Sequence, residues 1–291
     1  MGASPAAIGR KPCIQAAQHP LDTFLNSHST ARPWWAKFQR PKKMFEKNKD
    51  ETFVTQRKLF EGGKSLFAKY QDLIIGRKSL LYFLKYELII LFTSWLPGAL
   101  GLFMRGKLYP LLFGKVGKRV IFGVNIVVRH PHKIFLGNNV VIDDNCVLDA
   151  KGNTNKGIFI SDRVFIGRNT ILCCKDGDIF LAENTLIGFN CEIFSASFVK
   201  IGRNSQIAAY SYLNGGTHDL DRTDIPIIEQ PRSGRGIVLE DNVWLAANVK
   251  VLDGVAIGRD SVIGAGAVVS RDIPCFSIAA GNPARVLRSR S

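Results

Sequence analysis

From residue 239 onward an aliphatic side chain returns at every sixth position: Leu239, Leu245, Val251, Ile257, Ile263 and Val269. Four places after each stands a small or β-branched residue: Val243, Val249, Val255, Ser261, Ala267 and Ile273. The same step runs upstream in sets of three, as Val116, Phe122, Val128, then Leu136, Ile142, Leu148. It continues through Ile160, Ile166, Leu172, through Leu181, Ile187, Ile193, and through Ile201, Ile207, Leu213. A period held this long is the mark of a solenoid. Three hexads make one triangular coil of short parallel strands, and each inward aliphatic group stacks under its equivalent in the next coil, about 4.8 Å away. Glycine is the commonest residue after the aliphatic one (Gly137, Gly167, Gly188, Gly202, Gly258, Gly264), which suits a tight corner where a Cβ would clash. Interruptions such as Gly152-Asn153-Thr154-Asn155 and Lys175-Asp176-Gly177 fall between sets, where loops can protrude. The fold expected is all-β, a parallel β-helix over residues 116–274, since an ordinary sandwich would not hold a step of six through so many turns.

The net charge of +15 belongs mainly to the part before the repeats. Residues 1–115 hold 19 Lys/Arg against 7 Asp/Glu, whereas residues 116–291 hold 20 against 17. A basic segment suits nucleic acid or an anionic membrane surface. The membrane is favoured, and no nucleic acid is expected as a partner, because the basic segment runs into an apolar one. Leu88 to Met104 is an uncharged 17-residue span broken by Pro97-Gly98. A continuous helix of that length would reach about 26 Å, short of a bilayer's hydrocarbon core. Two shorter helices within residues 79–113 are therefore expected, either lying in a membrane interface or covering the first coil's open edge. Tyr82, Tyr86, Trp95 and Tyr109 are placed to sit at such an interface. Residues 1–52 read as a basic, disordered extension and 53–115 as an amphipathic helical region. Residues 275–291 read as a C-terminal tail and turn.

Six cysteines without a C-x-x-C pair read as reduced thiols. The main apolar run lies too far from the first residue for a secretory signal, and the Gly2 context lacks the Ser or Thr of a myristoylation site. Acid–base candidates are few. The histidines are His19, His28, His130, His132 and His218. His218 lies in Asn214-Gly215-Gly216-Thr217-His218-Asp219, where a repeat set ends and the longest break, about residues 214–236, begins. A histidine at a coil corner under a long loop can reach a ligand outside the coil, and its near-neutral pKa suits taking a proton from a hydroxyl. His130 and His132 stand many coils away, so three nitrogen ligands do not converge and no metal is expected.

Residues 181–288 resemble the maltose/galactoside O-acetyltransferase branch of the hexapeptide acyltransferases. The resemblance rests on IGFNCEIFSASFVKIG (187–202), the GGTHD turn, DNVWLAANVKVLDGVAIGRDSVIGAGAVVSRDIP (241–274) and IAAGNPARVL (278–287). More loosely, residues 79–135 resemble membrane-associated sugar acyltransferases of polysaccharide clusters. The resemblance implies a left-handed coil, a homotrimer with sites in the grooves between copies, and acetyl-CoA as acyl donor to a sugar or glycan hydroxyl. It implies His218 as general base, Asn190 holding acceptor and histidine, and Trp244 flanking the acceptor. It also implies a pantetheine arm along Ala246, Ala247, Gly264 and Ala265, with Ser270, Arg271 and Arg285 near the coenzyme phosphates. Arginine suits phosphate through forked hydrogen bonds.

Two positions depart from the family pattern. His-Pro is His218-Asp219 here, and Ser195 stands where an acidic residue often orients the histidine. Asp219, Asp221 or a backbone carbonyl is left for that role. Cys191, at an inward position, reads as core and not as a nucleophile. The setting implied is cytoplasmic, peripheral on the inner face of a membrane. An N-acyltransferase acting on an amino sugar, an acyltransferase fed by an acyl carrier protein, and a non-enzymatic scaffold are the rival readings.

Overall fold

The computed structural model describes residues 65–290. The readings of residues 1–52, and of the segment before Ser65, lie outside the described residues. The repeat region forms a parallel β-helix with three faces. Face 1 runs from Lys115–Val116 through Ile134–Leu136, Ile158–Ile160, Asp178–Leu181, Phe198–Ile201 and Ile237–Leu239 to Ala256–Ile257. Face 2 starts at Ile121–Phe122 and reaches Val262–Ile263 and Ser277–Ala280; face 3 starts at Val127–Arg129 and reaches Val268–Val269.

The register is the sequence repeat made physical. On face 3, Val128, Leu148, Leu172, Ile193, Leu213, Val251 and Val269 stand in one column. All are buried, as are their counterparts on the other faces apart from Val116 in the first coil. The glycines after these residues are needed for close stacking. A Cβ on Gly167 would lie 2.7 Å from the Gly188 carbonyl carbon, and one on Gly202 would lie 2.4 Å from that of Glu240.

The corner itself is turned two residues later. Asn139, Asn184, Asn204, Asn242 and Asp260 at the corner between faces 1 and 2 have φ of 54–59°, and so do Asn125, Asn145, Asn169 and Asn190 between faces 2 and 3. Asparagine tolerates this left-handed conformation better than other side chains. Its amide then bonds the next coil, as from Asn184 Nδ2 to Asn204 Oδ1 (2.7 Å) and from Asn169 Nδ2 to Asn190 Oδ1 (2.9 Å).

Both ends of the coil stack are covered. Helix α1 (Leu66–Tyr70) leads through a wider turn, Gln71–Ile75, into α2 (Leu80–Thr93) and α3 (Gly98–Leu108). Pro97 and Gly98 separate α2 from α3 as their chemistry demands, proline lacking an N–H and Gly98 adopting φ +68°. The pair packs on the first coil and supplies donors to its edge. Tyr86 Oη donates to Val128 O (2.8 Å), and Arg105 Nε donates to Phe122 O (3.0 Å). Arg105 is only 2 % exposed, and its Nη1 also donates to Thr93 O (3.0 Å) and Leu96 O (2.6 Å). His130 and His132 belong to the same cap: His130 N donates to Ile74 O (2.8 Å), and its Nε2 lies 2.9 Å from Asp72 O.

At the other end the structure departs from a simple tail. Ser277–Ala280 adds a further parallel rung to face 2, and Arg285–Ser289 folds back antiparallel on it. The hexad count misses this rung because Ala279, not a larger aliphatic residue, fills the inward place.

Arg105→Ala would leave the carbonyls of Phe122, Thr93 and Leu96 without their charged donor. A loss of about 3 kcal/mol is expected from hydrogen bonds of this kind, measured by denaturant unfolding. Proteolysis within residues 94–114 should accelerate well before the coils themselves unfold.

Candidate active site

The strand Tyr212–Gly215 does not turn directly into the next coil. Gly215 and Gly216 let the chain pass hard against the preceding coil: a Cβ on Gly216 would sit 2.5 Å from the Ala196 Cβ. The chain then leaves the coil, and Thr217–His218 pairs antiparallel with the returning Arg232–Ser233, so that His218 faces Arg232. Gly236, at φ +87°, brings it back to face 1 under the Phe198 ring. Gln230 closes the intervening loop from within. Its Nε2 donates to Arg222 O (2.6 Å), and its Oε1 accepts from Arg222 N (3.3 Å).

His218 is half-buried at the base of this hairpin. Burial lowers its pKa, and the charges of Arg232 and then Lys175 push the same way, while hydrogen bonding to the backbone of Ile227 and Gln230 opposes them. A histidine below its ordinary value is neutral at neutral pH and so is free to accept a proton. Asp219 is tied into the hairpin beside it. Its Oδ1 accepts from Ser233 Oγ (2.8 Å), and its N donates to Pro231 O (2.8 Å), which fastens the hairpin. Ser195 is fully buried and donates to Asp178 O (2.8 Å), pointing into the coil. Hydrogen bonds to the backbone of Ile227 and Gln230 help hold the imidazole.

A second group of expected residues gathers along the corner between faces 2 and 3. Ala246 N donates to Ile263 O (2.9 Å), Gly264 N to Ala279 O (2.8 Å) and Gly266 N to Ala247 O (2.9 Å). Ala246, Gly264 and Ala280 thereby stack in one column of small residues, with Ala247 and Ala265 exposed beside it. Asn190 lies lower on the same corner. Trp244 points outward from face 2 and is 48 % exposed. Arg285 is exposed opposite Ala280, where the last turn folds back. Ser270 and Arg271 are exposed too, but they come after Val268–Val269 and so lie beyond the far edge of face 3.

These two groups are not joined within one chain. Asn190 precedes the strand Glu192–Ser195, whereas His218 comes after Tyr212–Gly215, whose residues stand in register with it. The width of a four-residue strand, about 13 Å, separates the two edges. Sequence reading also passed over Arg232 and Lys175. Arg232 is fourteen residues from His218 in the chain, and only the hairpin pairing reveals it; Lys175 sits in a break that reads as a solvated loop. Cys191 is buried in the coil, its Sγ 3.2 Å from Ala208 O. Among the described residues no group of three or more His, Cys, Asp or Glu is placed to hold a metal ion.

A three-faced coil of hexads defines a class, that of the parallel β-helices. Residues 236–271 match the family model described as bacterial transferase hexapeptide (six repeats). The chain is 38 % identical over 112 residues to a putative acetyltransferase of Schizosaccharomyces pombe, covering 38 % of this chain and 53 % of that one. It is 28 % identical over 163 residues to a putative lipopolysaccharide biosynthesis O-acetyl transferase of Escherichia coli K12, covering 54 % of this chain and 82 % of the relative. Among solved structures it is similar to the polysialic acid O-acetyltransferase OatWY, with a TM-score of 0.47 at 22 % identity over 60 % of this chain and 81 % of that one. The chain spans 53 %, 62 % and 54 % of the length of three curated acetyltransferases that it matches.

The imidazole of His218 should titrate below the ordinary histidine value of about 6.5 when its protonation is monitored by NMR. Arg232→Ala removes a neighbouring positive charge, so the midpoint should rise. An unchanged midpoint would mean that burial alone sets it.

Proposed function

We propose that the protein transfers an acetyl group from acetyl-CoA to a hydroxyl of a sugar or of a polysaccharide or lipid-linked precursor. The observation that carries this reading is His218, set outside the coil on a hairpin built for it and held below its ordinary pKa beside Arg232. The imidazole takes the proton of the acceptor hydroxyl as that oxygen attacks the thioester carbonyl. Backbone N–H groups stabilise the oxyanion. The coenzyme thiolate then leaves and takes the proton back from the imidazolium, so no covalent enzyme intermediate is needed. The names of the relatives support acetyl transfer, and O-acetylation in one case.

The division of the site within one chain supports assembly as a homotrimer. A neighbour's corner, with Asn190, Ala246, Ala247, Gly264, Ala265 and Arg285, would face His218 across a groove between copies, with Trp244 beside it. Face 2 offers a surface for such contact. Ile121, Val141, Phe165, Leu186, Trp244 and Val262 point outward from it in one register column, broken only by Gln206.

The cap carries a second surface. Leu81, Leu84, Leu88, Leu91 and Trp95 on the α2 side, with Leu100 and Phe103 on α3, are all exposed, Leu81 at 81 %. No helix among the described residues is long and apolar enough to cross a membrane. An apolar face of this extent beside Arg77, Lys78 and Lys107 suits the interface of an anionic leaflet, where an amphipathic pair buries its apolar side and keeps its cations at the headgroups. The β-helix edge is satisfied by the opposite side of the same helices, so edge cover and membrane contact do not compete.

His218→Ala should leave melting temperature and coenzyme binding nearly unchanged while turnover falls by about two to four decades, mostly in kcat. Arg285→Ala should instead raise KM for the coenzyme. A folded His218→Ala protein of full activity would overturn the mechanism. The full chain should also co-sediment with anionic liposomes and be released only in part by salt, because apolar burial persists when charge is screened. Complete release would reduce the cap's membrane contact to electrostatics.

A further inference from the structure

Lys175 lies in the break between Ile171–Cys174 and Asp178–Leu181, at the same corner from which the His218 hairpin departs. Its N donates to Ser195 O (2.7 Å), and in the next coil Ala196 N donates to Gly215 O (2.9 Å). Lys175, Ala196 and Gly216 thus stack in one column about 10 Å tall, with His218 two residues beyond its top. Above Lys175 this column offers only a methyl group and a hydrogen, so no side chain of its own fills the space toward the histidine. Arg232 faces His218 across the hairpin.

The carboxylates of this corner have other work. Asp149 pairs with Arg129 (3.3 Å) and Lys151 (3.5 Å). Asp176 accepts from Asn153 N (2.6 Å), and Asp219 accepts from Ser233 Oγ (2.8 Å). Lys175 is half-buried, and among the described residues its ammonium makes neither an ion pair nor a side-chain hydrogen bond. Asp176 nearby eases the placement only in part. Holding an ammonium partly out of water without a direct ion pair is unfavourable, and a negative charge brought by a ligand offsets that cost. Burial first, and then the charge of Arg232, lower its pKa, in keeping with this placement.

We propose that the acceptor carries an anionic group, a carboxylate or a phosphate, close to the hydroxyl that reacts, and that Lys175 recognises it beside His218 and Arg232. This rests on the acyl-transfer reading above and narrows its acceptor class. A neutral sugar would leave the ammonium as costly in the complex as in the free protein. An anionic one pairs it and fixes which hydroxyl faces the imidazole.

The test uses the full chain with acetyl-CoA and three acceptors: methyl glucoside, glucuronic acid and glucose 6-phosphate. Calorimetric titration of the two anions runs in parallel. One anionic acceptor should have the lowest KM, and which one it is separates carboxylate from phosphate. Lys175→Met should raise that KM roughly tenfold or more, as expected for a hydrogen bond to a charged group. It should leave the KM of methyl glucoside unchanged, and Lys175→Arg should restore most of the loss. Equal KM values for neutral and anionic acceptors, or a Lys175→Met change shared by all three, would overturn the proposal. If no acceptor is acetylated, the transfer reading is the one that suffers, and calorimetry still decides the anion site. Binding lost in Lys175→Met upholds it; no binding, or binding equal to wild type, sinks it.

Discussion

Each coil of this protein is held to the next by backbone hydrogen bonds that leave no freedom in spacing. Gly167 N meets Ile187 O at 2.8 Å, Gly188 N meets Ile207 O at 2.7 Å and Ala208 N meets Leu245 O at 2.9 Å, rung after rung. Coils this close admit one inward aliphatic group per face and no Cβ where the chain bends over its neighbour. The left-handed asparagines result from the same spacing, because the turn must be completed within one or two residues. Nothing longer fits inside a rung.

That constraint also decides where chemistry can be placed. Side chains within the coil are committed to stacking, as Ser195 and Cys191 show: each points inward and bonds a carbonyl of a neighbouring coil. A group meant for a ligand must leave the coil at a corner. The excursion after Gly216 does this, and its anchors are local: two close-packed glycines at the exit, a glycine at positive φ at the return, and Gln230 and Asp219 binding the loop to itself. The result is a histidine on a short paired strand and not on a free loop.

An open stack has two exposed edges, and both are closed by departures from the repeat. At the start, the helices spend Tyr86 and Arg105 on edge carbonyls. At the finish, the antiparallel return of Arg285–Ser289 pairs the last rung and sets Arg285 near the column of small residues. The first closure leaves an apolar outer face on α2 and α3, which is the basis for the proposed membrane contact. Structural duty and surface role thus fall on opposite sides of the same helices.

The step of six was enough to determine the three-faced coil, its inward residues and even the register, because a solenoid repeats one local solution and each hexad carries its own instructions. The break in the helical pair was equally legible, since Pro97 and Gly98 act through their own backbone chemistry. His218 stood out because a histidine beside Gly-Gly at a long interruption is a local signal. What the tertiary structure alone decided is what surrounds it. The antiparallel pairing that sets Arg232 opposite His218, the column that brings Lys175 beneath it, and the Ser233 bond that holds Asp219 all join residues distant in the chain. The separation of Asn190 from His218 by the width of face 3 belongs to the same category. A sequence period fixes what recurs, and these contacts depend on where the repeat is broken and how the loop folds back.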